Sequence, residues 1–415
     1  MMNTNLPSIS GMIEALALVS EDKDFLSRQY LTPQHKKVND LVAEWMKLAG
    51  MKAWQDPIGN IVGRYEGHES GLPALMLGSH LDTVVNAGKF DGMLGVATAI
   101  HCVASLQHRG KRLPVALEVI GFADEEGTRF KSTYLGSKAV AGTFDLATLD
   151  RLDTAGISMR KALSSFGLDT ENIPKAARNK NEISAYVELH IEQGPVLEKK
   201  KIPLGIVTGI RGSFRFRDAF CKGEYLHSGA TPYDYRKDSV VAVSNLVNEM
   251  NTFWKQQLQK RKDLVITFGQ FFTDNKEHSF AKSSGLVNFC IDVRSNSKNT
   301  LEYTKKILIK KIKLIEKKTN TKFFLGKETN SEPALMDKKL IKKFQIYSKM
   351  ISIKFETMAS GAGHDASVFA NYGIPSIMLF IRNKNGSHNP KEYMSIKNFM
   401  EVFKVLKGTI QDNYL

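Results

Sequence analysis

Short, continuous apolar runs recur along the chain. They occupy residues 74–78, 115–123, 184–189 and 374–381. Such runs are typical of strands buried on both faces of a parallel sheet. Between and around them, apolar residues recur at helical spacing over 33–49, 92–107 and 395–407. The alternation of strands and helices predicts an α/β fold, with helices on both sides of a sheet.

The middle of the chain has a different pattern. Apolar and polar positions alternate over 213–223, 264–272 and 286–294, and helical patterns cover 237–258 and 300–318. Period two is typical of strands with one face in a core and one toward water. We therefore expect an inserted α+β domain at 211–328, with an antiparallel sheet and two helices. The remainder, 1–210 and 329–415, is expected to form a three-layer α/β/α domain with a mixed, mainly parallel sheet.

Composition narrows the class of protein. The 415 residues are 42% hydrophobic and 24% charged, which is ordinary for a globular chain. No apolar run approaches the roughly 18–20 residues of a membrane helix, and the N-terminus lacks a basic segment leading into an apolar one. Three scattered cysteines, Cys102, Cys221 and Cys290, do not make a disulfide framework. We expect a soluble cytoplasmic protein that does not bind membranes.

The net charge of +15 raises the question of nucleic acid. Much of the excess is local, because residues 298–327 carry ten lysines against Glu302 and Glu316. Apolar residues in this stretch fall at helical intervals, which predicts an amphipathic helix with a solvated lysine face. A nucleic-acid or acidic-membrane patch is the alternative interpretation. No helix-turn-helix, RNP-type or zinc-finger pattern supports it, so we expect no nucleic-acid partner.

Histidine and carboxylate residues follow the ends of the predicted strands. His80 and Asp82 follow the first strand, Glu125 and Glu126 the second, and His190 ends the third; a short loop leads from the fourth to His388. In an open α/β sheet, ligands bind in the crevice at the carboxyl ends of the strands. Packing alone does not explain why four strands deliver such residues to that edge.

Each of these short motifs has an ordinary alternative. His80 and Asp82 point the same way if strand geometry persists, so Asp82 is placed to accept the second N–H of a ligating imidazole. As an isolated pair they are more often structural. Asp91 precedes a predicted helix, where it is either an N-cap or a carboxylate that bridges two cations.

The adjacent carboxylates of Glu125 and Glu126 are either a pair on a solvated loop or two groups with separate roles in one site. Neighbours in an extended segment point opposite ways, so one can bind a metal while the other faces a bound water. A cation lowers the pKa of that water and the free carboxylate accepts its proton. Two zinc-like cations sharing one carboxylate suit the combined set of candidate ligands: His80, Asp91, Glu126, His190 and His388.

Six segments also resemble a known family. In chain order they are GSHLDTVVNAGKFDG, GFADEEGTRF, ELHIEQGPVLE, LHSGATPYDYRKDS, MASGAGHDA and GSHNPKEY, spanning roughly residues 75–395. They are similar to the signature segments of amidohydrolases acting on N-carbamoyl compounds. This group comprises N-carbamoyl-L-amino-acid hydrolase, allantoate amidohydrolase and β-ureidopropionase, within the dinuclear-metal aminoacylase and carboxypeptidase superfamily.

The resemblance implies roles for individual residues in a metal-binding catalytic domain. It implies two divalent cations per subunit, zinc first, with manganese, cobalt or nickel as alternatives. The same five residues, with Asp91 bridging, are the implied ligands, and Glu125 is the implied general base. Asp82 is counted with the catalytic residues because it is placed to accept the second N–H of His80.

Further implied roles concern the substrate and the inserted domain. His227 is similar to a histidine that reaches the partner subunit's site and stabilises the oxyanion, and Arg294 to an arginine that clamps the substrate carboxylate. The implied assembly is a homodimer through the inserted dimerisation or lid domain. Other implied substrate contacts are Gln193, Gly361, Ala362 and Gly363. Ala281 departs from the pattern, since many relatives carry a substrate-holding asparagine there.

The expected activity is removal of the N-carbamoyl group from an N-carbamoyl-L-amino acid, which releases the amino acid, carbon dioxide and ammonia. Allantoate and N-carbamoyl-β-alanine are alternative substrates within the same chemistry. More distant alternatives are an exopeptidase or N-acyl-amino-acid deacylase, and a non-enzymatic basic nucleic-acid-binding protein.

Overall fold

The computed structural model describes residues 6–413. The chain forms two compact units, one running through Thr208 and resuming at Leu335, the other spanning Gly209–Ala334. The second unit continues past residue 328, because residues Glu328–Ser331 form a strand that pairs inside its sheet. The catalytic and dimerisation roles expected of the two units stay predictions.

The helices are α1 (Ile9–Ala17), α2 (Pro33–Leu48), α3 (Met93–His108), α4 (Leu135–Val140), α5 (Met159–Phe166), α6 (Val196–Lys200), α7 (Ser239–Gln259), α8 (Lys298–Thr319), α9 (Lys338–Met350), α10 (Asp365–Tyr372) and α11 (Ile396–Asn413). Short 3₁₀ helices lie at Leu146–Asp150, Thr170–Ala176, Lys180–Glu182 and Tyr233–Tyr235. Within the described residues, no helix is long and apolar enough to cross a lipid bilayer.

The strands are β1 (Lys52–Gln55), β2 (Ile61–Tyr65), β3 (Ala74–His80), β4 (Ala116–Phe122), β5 (Ile183–Ile191), β6 (Leu204–Ile210), β7 (Gly212–Lys222), β8 (Val265–Thr267), β9 (Phe271–Thr273), β10 (Leu286–Ser295), β11 (Lys322–Phe324), β12 (Glu328–Ser331), β13 (Ala334–Leu335), β14 (Phe355–Ser360), β15 (Ser376–Ile381), β16 (Asn383–Lys384) and β17 (Tyr393–Met394).

The first unit is built on one mixed sheet in the order β1-β2-β4-β3-β5-β15-β6-β13. The central strands β4, β3, β5 and β15 run parallel, and β2 and β6 flank them antiparallel. These parallel strands are the four that the continuous apolar runs predicted, and β3 and β4 are buried at every position. Their carboxyl ends therefore meet at one edge of the sheet.

Helices cover both faces of this sheet, which confirms the α/β/α layering. Alternate residues of β5, such as Val187 and Leu189, join the large core shared with α1, α2, α3, α9 and α11. Tyr186 points to the opposite face, where its ring centroid lies 4.6 Å from that of Phe369 in α10. Alternate side chains of one strand thus pack against two separate layers of helices.

The second unit is an antiparallel sheet covered by two helices, as expected. Its strands follow the order β11-β7-β10-β8, with β12 on β7 and β9 on β10. Burial along β10 alternates strictly, and its buried residues pack with Leu246 of α7 and Ile312 of α8. Residues 298–319 of the lysine-rich stretch therefore form an amphipathic helix with its apolar stripe in this core, whereas Lys322 lies in β11.

One segment with period-two character contributes two strands to this sheet. Residues 264–272 are divided between β8 and β9, with Gly269 between the two strands. The pairing of β7 with β10 also shifts register between Phe289 and Ile291. The extra residue lies in β7, between Phe216 and Ala219, and such a bulge interrupts the ladder.

Candidate metal site

The candidate ligands converge at the carboxyl edge of the parallel strands. His80 is the last residue of β3 and His190 lies near the end of β5. Glu126 follows β4, and His388 follows β15 in the loop between β16 and β17. The topology brings them together because all four strands are parallel.

Asp91 stands between the three imidazoles. Its Oδ1 lies 3.3 Å from Nε2 of His80 and 3.0 Å from Nε2 of His190. Its Oδ2 lies 3.4 Å from Nε2 of His388, which is 3.3 Å from Oε1 of Glu126. One carboxylate thus faces a histidine pair on one side and a histidine–glutamate pair on the other.

Three triads in this cluster can hold a metal ion, and one of them consists of His80, Glu125 and Glu126. The ligand atoms of His80, Asp91 and His190 lie within 4.8 Å of one another, and so do those of Asp91, Glu126 and His388. In the triad that includes His190, Asp91 Oδ1 and His190 Nε2 are buried and lack a hydrogen-bond partner of good geometry. Buried polar atoms are rarely left so, and a bound cation would satisfy both.

The electrostatics of the cluster favour positive charge. Burial alone would raise the pKa of Asp91, but the imidazoles, His190 foremost, hold that pKa well below its ordinary range. Conversely, hydrogen bonding to Asp91 and Glu126 raises the pKa of the His388 imidazole to about 10. Protons and divalent cations compete for such a site, so its metal affinity must fall as pH falls.

The alternative in which Asp91 is an ordinary helix cap is excluded. Helix α3 begins after Gly92, and no side chain caps it. Gly92 has φ of +69°, and a Cβ on it would lie 2.5 Å from the His80 ring. The glycine is required where the backbone passes close to that ring, and this leaves the Asp91 carboxylate free for the histidines.

The hydrogen-bond partner of His80 is not the Asp82 carboxylate that the sequence predicted. Nδ1 of His80 lies 3.0 Å from the backbone carbonyl of Asp82 and 3.6 Å from its carboxylate. The carboxylate instead accepts the backbone N–H groups of Glu125 and Glu126, at 3.0 Å each. Strand alternation did not anticipate this, because β3 ends at His80 and the chain turns immediately after it.

Glu125 lies beside this cluster with an environment of its own. Its side chain is buried, and burial raises the pKa of its carboxyl well above the ordinary range. The neighbouring carboxylates act in the same direction, while His80 opposes them. The adjacent Glu126 is half-buried and approaches His388, so the two glutamates occupy different surroundings.

Gln193 contacts a candidate ligand directly. Its Nε2 donates to Asp91 Oδ2 at 2.8 Å, and its backbone N–H donates to Oδ1 of Asn383 at 3.1 Å. Its Oε1 is buried without a partner. The segment Gly361–Gly363 lies between β14 and the start of α10.

The remaining predicted residues lie in the second unit. Nδ1 of His227 accepts the backbone N–H groups of Gly229 and Ala230, so the neutral ring carries its proton on Nε2. Arg294 donates through Nε and Nη2 to Oδ2 of Asp292, at 3.0 and 2.8 Å. The carbonyl of Ala281 accepts the N–H of Ser228, next to His227.

Several buried or half-buried polar residues near the candidate ligands were missed from the sequence. The ring centroid of His364 lies 4.6 Å from that of His190, and burial lowers its pKa well below the ordinary range. Ser387 contacts Asp91, and Glu392 contacts Ser387. Their presence in the segments MASGAGHDA and GSHNPKEY was the available signal, since both segments already carried candidate residues.

Comparison with known proteins gives consistent matches. A profile of peptidase family M20/M25/M40 matches residues 76–412. An N-carbamoyl-L-amino-acid amidohydrolase of Pseudomonas sp. (strain NS671) is 34% identical, covering 96% of both chains. Allantoate deiminase 1 of Glycine max is 32% identical, covering 91% of this chain and 83% of its own. A hydantoinase/carbamoylase family amidase of Burkholderia multivorans has a TM-score of 0.88 at 26% identity, over 97% of this chain and 96% of that one.

Proposed function

The chain belongs to peptidase family M20/M25/M40, and on that premise we propose that it removes the N-carbamoyl group from an N-carbamoyl-L-amino acid. Membership, together with the amidohydrolase relatives, confirms the resemblance that the six motifs indicated. The protein is accordingly a hydrolase acting on carbon–nitrogen bonds. The carbamoyl substrate and the roles of individual residues are our proposal.

The observation that carries this proposal is the position of Asp91. Its two carboxylate oxygens face different imidazoles, at 3.0–3.4 Å. Ligands about 2.0–2.1 Å from a tetrahedral zinc ion lie about 3.3–3.4 Å apart, so these separations suit shared coordination. We assign His80 and His190 to one cation and Glu126 and His388 to the other, with Asp91 bridging.

The cations supply Lewis-acid chemistry when bound, polarising the carbamoyl carbonyl and acidifying the attacking water. Zinc is the first choice for a histidine-rich set, and manganese, cobalt or nickel are the alternatives. Glu125 accepts the proton of the water and returns it to the departing nitrogen. Asp82 holds the backbone of both glutamates, which keeps Glu125 and Glu126 in their separate positions.

We assign the second unit the remaining contacts. His227 presents an N–H on Nε2, the donor that stabilisation of a developing oxyanion needs. Arg294 has the planar, bidentate geometry that suits the substrate carboxylate. Because Arg294 already binds Asp292, the substrate would have to share or displace that carboxylate.

Allantoate is the second candidate substrate. Plant relatives named allantoate deiminase are 32% identical to this chain. The family pattern that the motifs resemble implies a substrate-holding asparagine at the position of Ala281, so that contact would have no direct equivalent here.

A substrate panel tests the proposal. Protein reconstituted with each of zinc, manganese, cobalt and nickel is assayed for ammonia release from N-carbamoyl-L-amino acids, N-carbamoyl-β-alanine and allantoate. The expected result is turnover of at least one N-carbamoyl-L-amino acid that strong chelators abolish and added metal restores. Turnover of allantoate alone would move the assignment to the second candidate. Full activity in metal-free protein would contradict both.

A mixing experiment tests the assignment of His227 to a partner's site. His227→Ala and Glu125→Gln proteins, each inactive, are combined under conditions that exchange subunits. A mixed dimer would contain one site with both residues intact, so activity should partly return. No recovery in demonstrated heterodimers would show that the two residues serve the same subunit's site.

A further inference from the structure

A buried carboxylate, Glu392, lies one contact away from the candidate metal site. Its Oε1 accepts the backbone N–H of Phe90 at 2.8 Å, and its Oε2 lies 2.5 Å from Oγ of Ser387. Only 6% of Glu392 is exposed. A Cβ on Gly88 would lie 2.3 Å from the Glu392 carboxyl carbon, so the loop before Asp91 is closely fitted around this side chain.

Ser387 connects Glu392 to Asp91. Its Oγ is within hydrogen-bond distance of both Asp91 Oδ2 and Glu392 Oε2. A hydroxyl has one proton and can donate to only one of the two carboxylates. The second short contact therefore needs a proton on a carboxyl group. Asp91 is surrounded by imidazoles and is the acceptor, which leaves Glu392 as the donor.

The pKa of Glu392 agrees with a protonated carboxyl group at this position. Burial, and next the negative charge of Asp91, raise the pKa of Glu392 to about 7. The chain of donors then runs from the Glu392 carboxyl to Ser387 Oγ and from Ser387 to Asp91 Oδ2. Gln193 adds a second donor on the same oxygen, while Asp91 Oδ1 receives none.

We propose that Glu392, acting through Ser387, is a positioning residue that fixes the rotation of the Asp91 carboxylate between the two cation positions. The proposal rests on the proposed function, because it requires Asp91 to be the shared ligand. Outer-shell partners of this kind orient a ligand, and their loss typically costs about 10–100-fold in metal affinity or activity. Glu392 itself contacts no substrate or cation in this proposal.

The test compares Glu392→Ala, Glu392→Gln and Ser387→Ala with the wild type. Metal affinity is measured by competition with a chelator, and kcat and KM are measured on the metal-loaded protein. Glu392→Ala and Ser387→Ala should weaken metal binding about 10–100-fold and lower kcat more than they change KM. Glu392→Gln should stay close to wild type, because its amide can still donate to Ser387 while its oxygen accepts the Phe90 N–H.

Glu118→Ala is the matched control. Glu118 is a buried carboxylate in the middle of β4, bound by Arg64. Its removal should lower the unfolding midpoint of the metal-free protein and leave metal affinity unchanged, which separates a loss of stability from a loss of positioning. If Glu392→Ala does not fold, Ser387→Ala and Glu392→Gln decide the matter.

The outcomes separate this inference from the proposed function. Wild-type metal affinity in both Ser387→Ala and Glu392→Ala, with loss of metal in Asp91→Asn, would overturn the positioning role alone. So would a Glu392→Gln protein that is as impaired as Ser387→Ala. Retention of both metals in Asp91→Asn would instead overturn the metal site.

Discussion

Asp82→Asn is the most informative single substitution at the candidate site. Each oxygen of the Asp82 carboxylate accepts a different hydrogen bond: Oδ1 accepts the backbone N–H of Glu125, and Oδ2 accepts that of Glu126, each at 3.0 Å. Asparagine has the same shape but offers one oxygen and one NH₂ group. One backbone N–H would therefore face another donor inside a site where Asp82 is only 3% exposed.

The size of the effect follows from that mismatch. A buried donor left without an acceptor costs about 1–3 kcal/mol. At 1.4 kcal/mol per tenfold change, this corresponds to a loss of about 5-fold to 140-fold if the protein moves the glutamates out of place to relieve it. The loss should appear mainly in kcat, because the positions of Glu125 and Glu126 matter most in the transition state.

The assay is ammonia release from the best N-carbamoyl substrate, with metal content measured on the same samples. Asp337→Asn is the control, because Asp337 accepts the N–H groups of Lys339 and Leu340 through a single oxygen that asparagine retains. That variant should behave as the wild type. A wild-type kcat in Asp82→Asn would refute the idea that Asp82 positions the glutamate pair. The double variant with Glu125→Gln should be little worse than Glu125→Gln alone.

Three other substitutions have clear expected outcomes. Glu125→Gln should keep its metal and lose about 10²–10⁴-fold in turnover; metal loss with a near-normal rate would reverse the roles of the two glutamates. His35 is buried, and burial followed by nearby Arg28 lowers its pKa from 6.5 to about 3, so the unfolded chain protonates first. The contribution of His35 to stability should fall by about 1.4 kcal/mol per pH unit below pH 6.5, about 2.7 kcal/mol by pH 4.5. Urea unfolding of His35→Gln should lack that slope. Arg28→Met removes the side-chain donors that bind the carbonyls of Leu16, Val19 and Leu81. The unfolding free energy should therefore fall by about 3 kcal/mol or more. A fall of less than about 1 kcal/mol would contradict this.

The parallel sheet and the convergence of the candidate ligands were predictable from the sequence. Continuous apolar runs identify buried strands, and residues that follow such strands must share the carboxyl edge once the strands are parallel. His80, Glu126, His190 and His388 are all found this way. The division of residues 264–272 into two strands was not predictable, because it depends on how each strand pairs with the neighbouring β10.

The interior of the site could not be derived from local patterns. The contact of Asp91 with Ser387 joins residues 296 positions apart, and that of Ser79 with Glu188 joins residues 109 apart. Each residue looks ordinary alone, because its partner is set by distant parts of the chain: the pairing of β3 with β5 brings Ser79 to Glu188, and the loops at the strand ends bring Asp91 to Ser387. Asp91 illustrates this, since its sequence position suits a helix cap equally well and only the fold places three imidazoles around it.

The position of β15 in the sheet sets the order in which the protein can be completed on the ribosome. β15 lies between β5 and β6, although it is made about 165 residues after β6, once the whole second unit has been synthesised. Until then β5 and β6 lack the strand that separates them, and such unpaired strand edges readily pair with other chains. His388 follows β15, so the last candidate ligand emerges when most of the others have long been available. A nascent chain thus exposes two open edges and an incomplete site while about 165 residues are synthesised, and chaperones that cover strand edges would act in this window.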